Sequence, residues 1–235
     1  MDAAVGTRVL GEVEEVSLEE ILAELRTSVQ QTTGAIPIRY KQTHIPPLDD
    51  IQARHLQSTK SPALSISGRH LPLLYHLISQ LLSPPHNYTV LLIDLEGRFD
   101  STRLTCEAGP ASLRHLYIHR PPRSAVGASH EKLKVAISDA EEFMLHGEGA
   151  KQSRGREWWG TIVVGAAEGS STAGDVVAAG WKGWLKVERE KVGGFAMGMS
   201  VRDAKGRREE RQRVVDGAGW AVDSPWGGFV FHDKP

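Results

Sequence analysis

The chain has 235 residues, 40% of them apolar and 24% charged, and 28 Lys and Arg nearly balance 29 Asp and Glu for a net charge of −1. This excludes a wholly disordered chain and a histone-like basic protein, so any nucleic-acid contact must come from a local basic patch. One cysteine, Cys106, excludes an internal disulfide or a cysteine-built zinc site, and no apolar run approaches the roughly 20 residues of a membrane helix. With no signal-peptide core after Met1, a soluble intracellular chain is expected.

In chain order, Ser17-Leu18-Glu19-Glu20 is a capping-box pattern that opens an amphipathic helix from Leu18 to Val29. Gln30 to Gly34, Pro37, Pro46, Pro47, Asp49 and Asp50 then favour an extended linker. The expected organisation is an N-terminal helix and Pro-rich linker over residues 1–55 and a core domain over 56–235. A strand-and-helix rhythm begins at Ala63–Ile66, followed by a helix from Leu71 to Leu82 with Pro72 in its first turn. The run Tyr88–Ile93, closed by Asp94, suits a strand buried on both faces. Leu113–Ile118, a helix over Glu131–Leu145 and a strand over Trp158–Val164 continue the alternation. The alternation predicts an α/β fold with a mainly parallel sheet flanked by helices. Gly165 to Gly180 reads as a low-complexity loop. Short strands at Trp184–Arg189, Gly194–Val201, Gln212–Val215 and Gly228–Phe231 read as an antiparallel extension.

The most informative stretch is Val90-Leu91-Leu92-Ile93-Asp94-Leu95-Glu96-Gly97-Arg98-Phe99-Asp100, with Arg103-Leu104. It resembles the strand, acid-Gly, aromatic, Arg-Leu signature of the RecA-like recombinase family. Leu64-Ser65-Ile66-Ser67-Gly68 and Leu73-Leu74-Tyr75-His76-Leu77 are similar to the strand and helix flanking that family's phosphate loop, particularly in eukaryotic recombinase paralogues of the X-ray repair cross-complementing group two type. The resemblance implies that Glu96 stands at the water-activating position and Asp94 at the strand end. The bland alternative is that an acid-Gly pair after a buried strand simply caps the following turn.

Two departures bear on mechanism. A phosphate loop needs glycines whose N–H groups converge on phosphate, a lysine and a magnesium-binding hydroxyl. Here only Arg69 and His70 separate Gly68 from Leu71, and Thr161–Val164 ends in Gly165 where the family places a metal-binding Asp. With so little left to stabilise phosphoryl transfer, no ATPase activity, no cofactor and no metal are expected, and Glu96 becomes a relic position.

Other features have bland and functional readings. Arg202, Lys205, Arg207, Arg208, Arg211 and Arg213 form the densest basic cluster, read as a hairpin tip that could track single-stranded DNA, or as a solvated mixed-charge hairpin given Asp203, Glu209 and Glu210. The tryptophans at 158, 159, 181, 184, 220 and 226 read mostly as core, with Trp226 the best interface candidate. Ile36, Ile38 and Tyr40 are candidates for pairing outward with a partner's sheet edge, as in filament-forming recombinases, or for packing on their own core. His115 and His119 are expected on one face of a strand, without a third metal ligand.

The resulting expectation is a non-catalytic recombinase paralogue in the nucleus. It would bind other paralogues or the main recombinase in a hetero-oligomer that supports homologous recombination and DNA repair, with single-stranded DNA as a candidate ligand and no membrane contact. The alternative is a RecA-like scaffold subunit of an Elongator-type tRNA-modification assembly. A third reading has Arg69 or Glu96 completing another subunit's phosphate site in trans.

Overall fold

A computed structural model describes residues 40–104, 109–122, 130–165, 176–194, 198 and 200–232, all within the unit of the chain that begins at Arg39. The expected helix over Leu18–Val29, together with Ile36, Ile38 and Cys106, lies outside the described residues.

Eight strands form one sheet in the order β3-β2-β4-β5-β1-β6-β7-β8. They are β1 (Leu64–Gly68), β2 (Thr89–Asp94), β3 (Leu116–His119), β4 (Trp158–Val164), β5 (Val176–Ala179), β6 (Leu185–Arg189), β7 (Trp220–Ser224) and β8 (Gly227–Phe231). Neighbours from β3 through β6 are parallel, and the β6–β7 and β7–β8 pairs are antiparallel. The expected α/β fold, with a mainly parallel sheet, flanking helices and a C-terminal antiparallel extension, is therefore observed. The α-helices of six or more residues are α1 (Pro46–Thr59), α2 (Leu71–Leu82), α3 (His130–His146), α4 (Val201–Gly206) and α5 (Arg208–Gly217).

Two apolar layers sandwich the centre of the sheet. α1 and α2 cover one face, where Leu48, Ile51, Leu73, Leu74, Leu77, Ile78, Leu81 and Leu82 meet Leu64, Ile66, Val90, Leu92, Ile162, Val164, Leu185 and Val187. α3 covers the other face of β2, β4 and β5, where Ala140, Ile137 and Met144 meet Leu91, Ile93, Val163, Val176 and Ala178. Successive strand residues point to opposite faces, so β2 must be apolar throughout to serve both layers, and all six of its residues are buried. β6 carries only one apolar face and alternates buried with exposed accordingly.

Four expectations change. Pro46 to Thr59 is a packed helix rather than linker, because Pro46 and Pro47 open it where a missing N–H costs nothing, while Leu48, Ile51 and His55 line its buried side. Val176–Ala179 is a buried central strand inside the expected loop. β6 belongs to the parallel part, and β1 lies between β5 and β6, with Ile66 registered against both Ala179 and Leu185. The connection between those two strands crosses β1 so tightly that a Cβ on Gly183 would stand 2.7 Å from the Ser65 carbonyl oxygen. Finally, Gln212–Val215 is helical; Arg213, Val214 and Val215 are exposed, leaving no half-buried face to make a strand.

Candidate functional site

In an open parallel sheet, ligand chemistry collects at the carboxyl ends of the strands. Here that edge gathers Gly68-Arg69-His70 after β1, Asp94 to Asp100 after β2, Arg120 after β3 and Gly165 after β4. The sequence-derived motif residues are thus brought together.

Asp94 is 2% exposed and fully committed to its own loop. One carboxylate oxygen accepts from the backbone N–H groups of Gly97 (2.8 Å) and Arg98 (3.2 Å). The other accepts from Phe99 N–H (3.0 Å) and from Arg120 Nε (3.3 Å). Arg120 also donates through Nη2 to the Phe99 carbonyl at 2.6 Å. A buried carboxylate needs this many donors, and together they fold residues 95–99 into a fixed turn. Asp94 therefore does what the bland reading of an acid-Gly pair describes. Arg120 was not singled out from sequence; the only signal is that it leaves the strand adjacent to β2.

Glu96 lies farther out and pairs with Arg98 at 3.2 Å. Its stem fills the space beside Gly165: a Cβ on that glycine would stand 2.7 Å from Glu96 Cγ and 3.3 Å from Leu95 Cβ, and Gly165 has φ +84°. Gly165 is fastened there by its N–H to the Ala179 carbonyl at 2.7 Å. The position where the family resemblance implies a magnesium carboxylate is thus one where any side chain meets both steric and backbone strain.

The link from β1 to α2 is Arg69 and His70 alone. Gly68 has φ +76°, and a Cβ there would stand 2.5 Å from the Val187 carbonyl oxygen, which accepts from Arg69 N–H at 2.8 Å. His70 is 5% exposed and occupies the N-cap position of α2 without capping it by its side chain. Its Nδ1 lies 3.2 Å from the Gly68 carbonyl, an acceptor only, so Nδ1 carries the proton and Nε2 keeps a lone pair that is buried without a partner. Burial pushes this imidazole below its ordinary range; Glu96 and the Gly68 hydrogen bond oppose that, and Arg98 adds to it. The site thus sets a neutral imidazole before α2 and pairs both acids with arginines.

The helix α2 explains the Leu-Tyr-His-Leu run. Leu73, Leu74 and Leu77 are buried in the core. Tyr75 packs on Phe99 at 5.0 Å and accepts through its hydroxyl from Asp100 N–H at 3.0 Å, so it braces the loop after β2. His76 stacks against Phe231 of β8 at 5.5 Å.

No protein-family model matches this chain, and no curated protein is significantly similar to it. Among the described residues no group of three or more His, Cys, Asp or Glu could hold a metal ion, and no helix is long and apolar enough to cross a membrane.

The remaining sequence-derived candidates lie elsewhere. Arg202 and Lys205 are on α4, Arg208, Arg211 and Arg213 on α5, and Arg207 between them, so the expected hairpin tip is a two-helix arm joining β6 to β7. Arg211 donates to the Gly193 carbonyl at 2.7 Å and Arg189 of β6 to the Val215 carbonyl at 3.1 Å, which fasten the arm to the sheet. Trp226 is half-buried, edge-on to Trp184 (5.4 Å) and to His55 (4.6 Å). Trp181 is the tryptophan that faces solvent, 71% exposed. Tyr40 opens the described chain, and burial pushes its hydroxyl pKa up, with Asp49 and Asp50 adding to the shift. His115 precedes β3, bonded to Ser153 Oγ at 2.9 Å, so it does not share a strand face with His119.

Proposed function

We propose that this protein is a non-catalytic RecA-like subunit that acts by association: a recombinase paralogue that binds other paralogues or the main recombinase and supports homologous recombination and DNA repair in the nucleus. The observation that carries the proposal is the edge where β1, β2 and β4 end. The segments whose sequence carries the resemblance meet there, and His70 fills the two-residue connection before α2 while Glu96 occupies the space beside Gly165. Phosphoryl transfer is driven by preorganised positive charge and a metal around the phosphates. At this edge Glu96 is held by Arg98, and Asp94 by Arg120 and three backbone N–H groups. A scaffold that keeps its sheet while its acids serve loop structure is suited to presenting surfaces. The six cations of the α4–α5 arm offer a place for single-stranded DNA, since binding to phosphates needs grouped positive charge rather than a basic chain.

The test is a pair of measurements on the full chain. Mg-ATP is expected to leave the thermal midpoint unchanged, because a ligand stabilises only the fold that binds it. Affinity purification is expected to recover recombination proteins. A midpoint that rises with Mg-ATP would refute the loss of nucleotide binding, and recovery of Elongator subunits instead would transfer the chain to a tRNA-modification assembly.

A further inference from the structure

His44 and His86 are stacked face to face, their ring centroids 3.7 Å apart and their planes 21° from parallel. Tyr88 extends the stack, 5.5 Å from His44 and 6.1 Å from His86, within 20° of parallel to either. His44 lies in the segment 40–45 that leads into α1, and His86 in the turn between α2 and β2. The segment has other fastenings. Lys41 Nζ donates to the Trp159 carbonyl, and Trp159 Nε1 donates to the Gln42 carbonyl at 2.8 Å. Asp49 accepts from Thr43 N–H, Thr43 Oγ1 and His44 N–H, at 2.7, 2.8 and 3.1 Å. His44 itself holds φ +59°, a left-handed conformation that a side-chain-bearing residue adopts only when its surroundings impose it. Its N–H is held by Asp49 and its ring by the stack.

We propose that the His44–His86 stack is a pH-sensitive clasp: with neutral rings it holds segment 40–45 on the α2–β2 turn, and protonation below about pH 6.5 releases the segment while the sheet stays folded. Charging both rings would set two cations 3.7 Å apart in a partly desolvated contact. The groups acting on the His44 ring are its partner His86 and the carboxylate of Asp49; Tyr88 adds a neutral ring, and the Lys41 ammonium is turned to Trp159. Burial pushes the His44 imidazole below its ordinary range, His86 adds to that, and Asp49 pulls the other way. The net direction is down, so the released segment binds a proton that the docked one resists. Docking is then complete above pH 6.5 and weakens as pH falls toward the docked value. Over that interval each proton taken up on release multiplies the released population by up to about tenfold per pH unit. The clasp is independent of the recombination reading.

Hydrogen exchange on the full chain, corrected for the intrinsic pH dependence of amide exchange, reads the clasp directly. Protection of the amides of residues 41–45 should fall between pH 7.5 and 5.5, by up to about tenfold for one proton taken up. The amides of β2 should keep theirs. His86→Phe preserves a stacking ring without a titratable nitrogen and should show a smaller fall. Equal protection at the two pH values, an equal fall in His86→Phe, or loss of β2 protection in step with residues 41–45 would each overturn the proposal. In the unaltered protein, a His44 ring signal that titrates at or above pH 6.5 would overturn it as well.

Discussion

Asp94 and Arg120 meet at 3.3 Å across the ends of two neighbouring parallel strands, the carboxylate fully buried and the guanidinium side chain 54% exposed. That asymmetry sets what each contributes. Asp94→Ala would leave the N–H groups of Gly97, Arg98 and Phe99 without their acceptor; Gly97 and Arg98 are exposed, but Phe99 is buried, and an orphaned buried donor costs about 1–3 kcal/mol. A total loss of about 3 kcal/mol is expected. Arg120→Ala leaves those three bonds intact and removes a half-exposed ion pair and a bond to the Phe99 carbonyl, so about 1 kcal/mol is expected. Urea melts of the two variants check the order; an Arg120 variant as damaged as the Asp94 variant would mean that the ion pair, not the backbone donors, holds the loop.

Glu96 and Gly165 form the second pair whose energies should be linked. Gly165→Ala meets Glu96 Cγ at 2.7 Å and must also hold φ +84°. About 2 kcal/mol of destabilisation is expected, part steric and part backbone. Truncating Glu96 to Ala removes the steric part alone. The double variant should therefore recover about 1 kcal/mol relative to the sum of the single effects, while the backbone part persists. Strict additivity in a denaturant series would show that Glu96 swings clear and that the space beside Gly165 is open to a ligand.

Much of the fold is legible in the sequence because it is written in local periodicity. The helix expected over Leu71–Leu82 has those bounds, since six of its apolar residues recur on one side and are all 0% exposed. Trp158–Val164 is likewise a strand as expected. β5 was not legible, because Val176–Ala179 sits in a Gly, Ser and Ala context that offers no punctuation, and its burial comes from β4 and β1 on either side. α1 was masked by its own Pro-Pro start, although Leu48, Ile51 and His55 carried the helical spacing. At the candidate site, Asp94 and Glu96 were visible as a motif. The turn-capping role of Asp94 is one of the two readings its acid-Gly context offers; its partner Arg120 is not legible, because strand adjacency brings it in, and the consequence of Gly165 depends on where Glu96 Cγ lies.

His70 makes a prediction about pH. Its Nε2 is buried without a partner and burial holds its pKa down, so the unfolded chain binds a proton that the folded site resists. The sign follows: the stability His70 contributes is present above about pH 6.5 and is lost as pH falls below it. His44, His55 and His115 shift in the same direction for the same first cause, so the whole protein should lose stability from pH 7.5 to 5.5. His70→Leu removes the orphaned acceptor and one of these titrations. It should be neutral or stabilising by about 1 kcal/mol at pH 7.5 and show a shallower fall in acid. A steeper fall in urea midpoints for the variant would mean that His70 is held charged, with Glu96 as its counterion.

The proposed contact with single-stranded DNA rests on the cations of the α4–α5 arm. On α5, Arg208 and Arg211 stand three residues apart on one side of the helix, while Arg213 lies across from them, five residues from Arg208. Arg211 is already spent on the Gly193 carbonyl, so reversing its charge would disturb the arm itself. Arg207→Glu with Arg208→Glu tests the charge without that complication. If a single strand follows this side, affinity should fall at low salt for every base sequence alike. The slope of log affinity against log salt should flatten by about 0.7 for each phosphate that the variant no longer neutralises. Arg213→Glu on the far side should then change little. Equal losses from both sides would indicate a general field rather than a track, and unchanged binding in the Arg207 and Arg208 variant would leave the arm as a solvated surface in which Asp203, Glu209, Glu210 and Asp216 offset most of the positive charge.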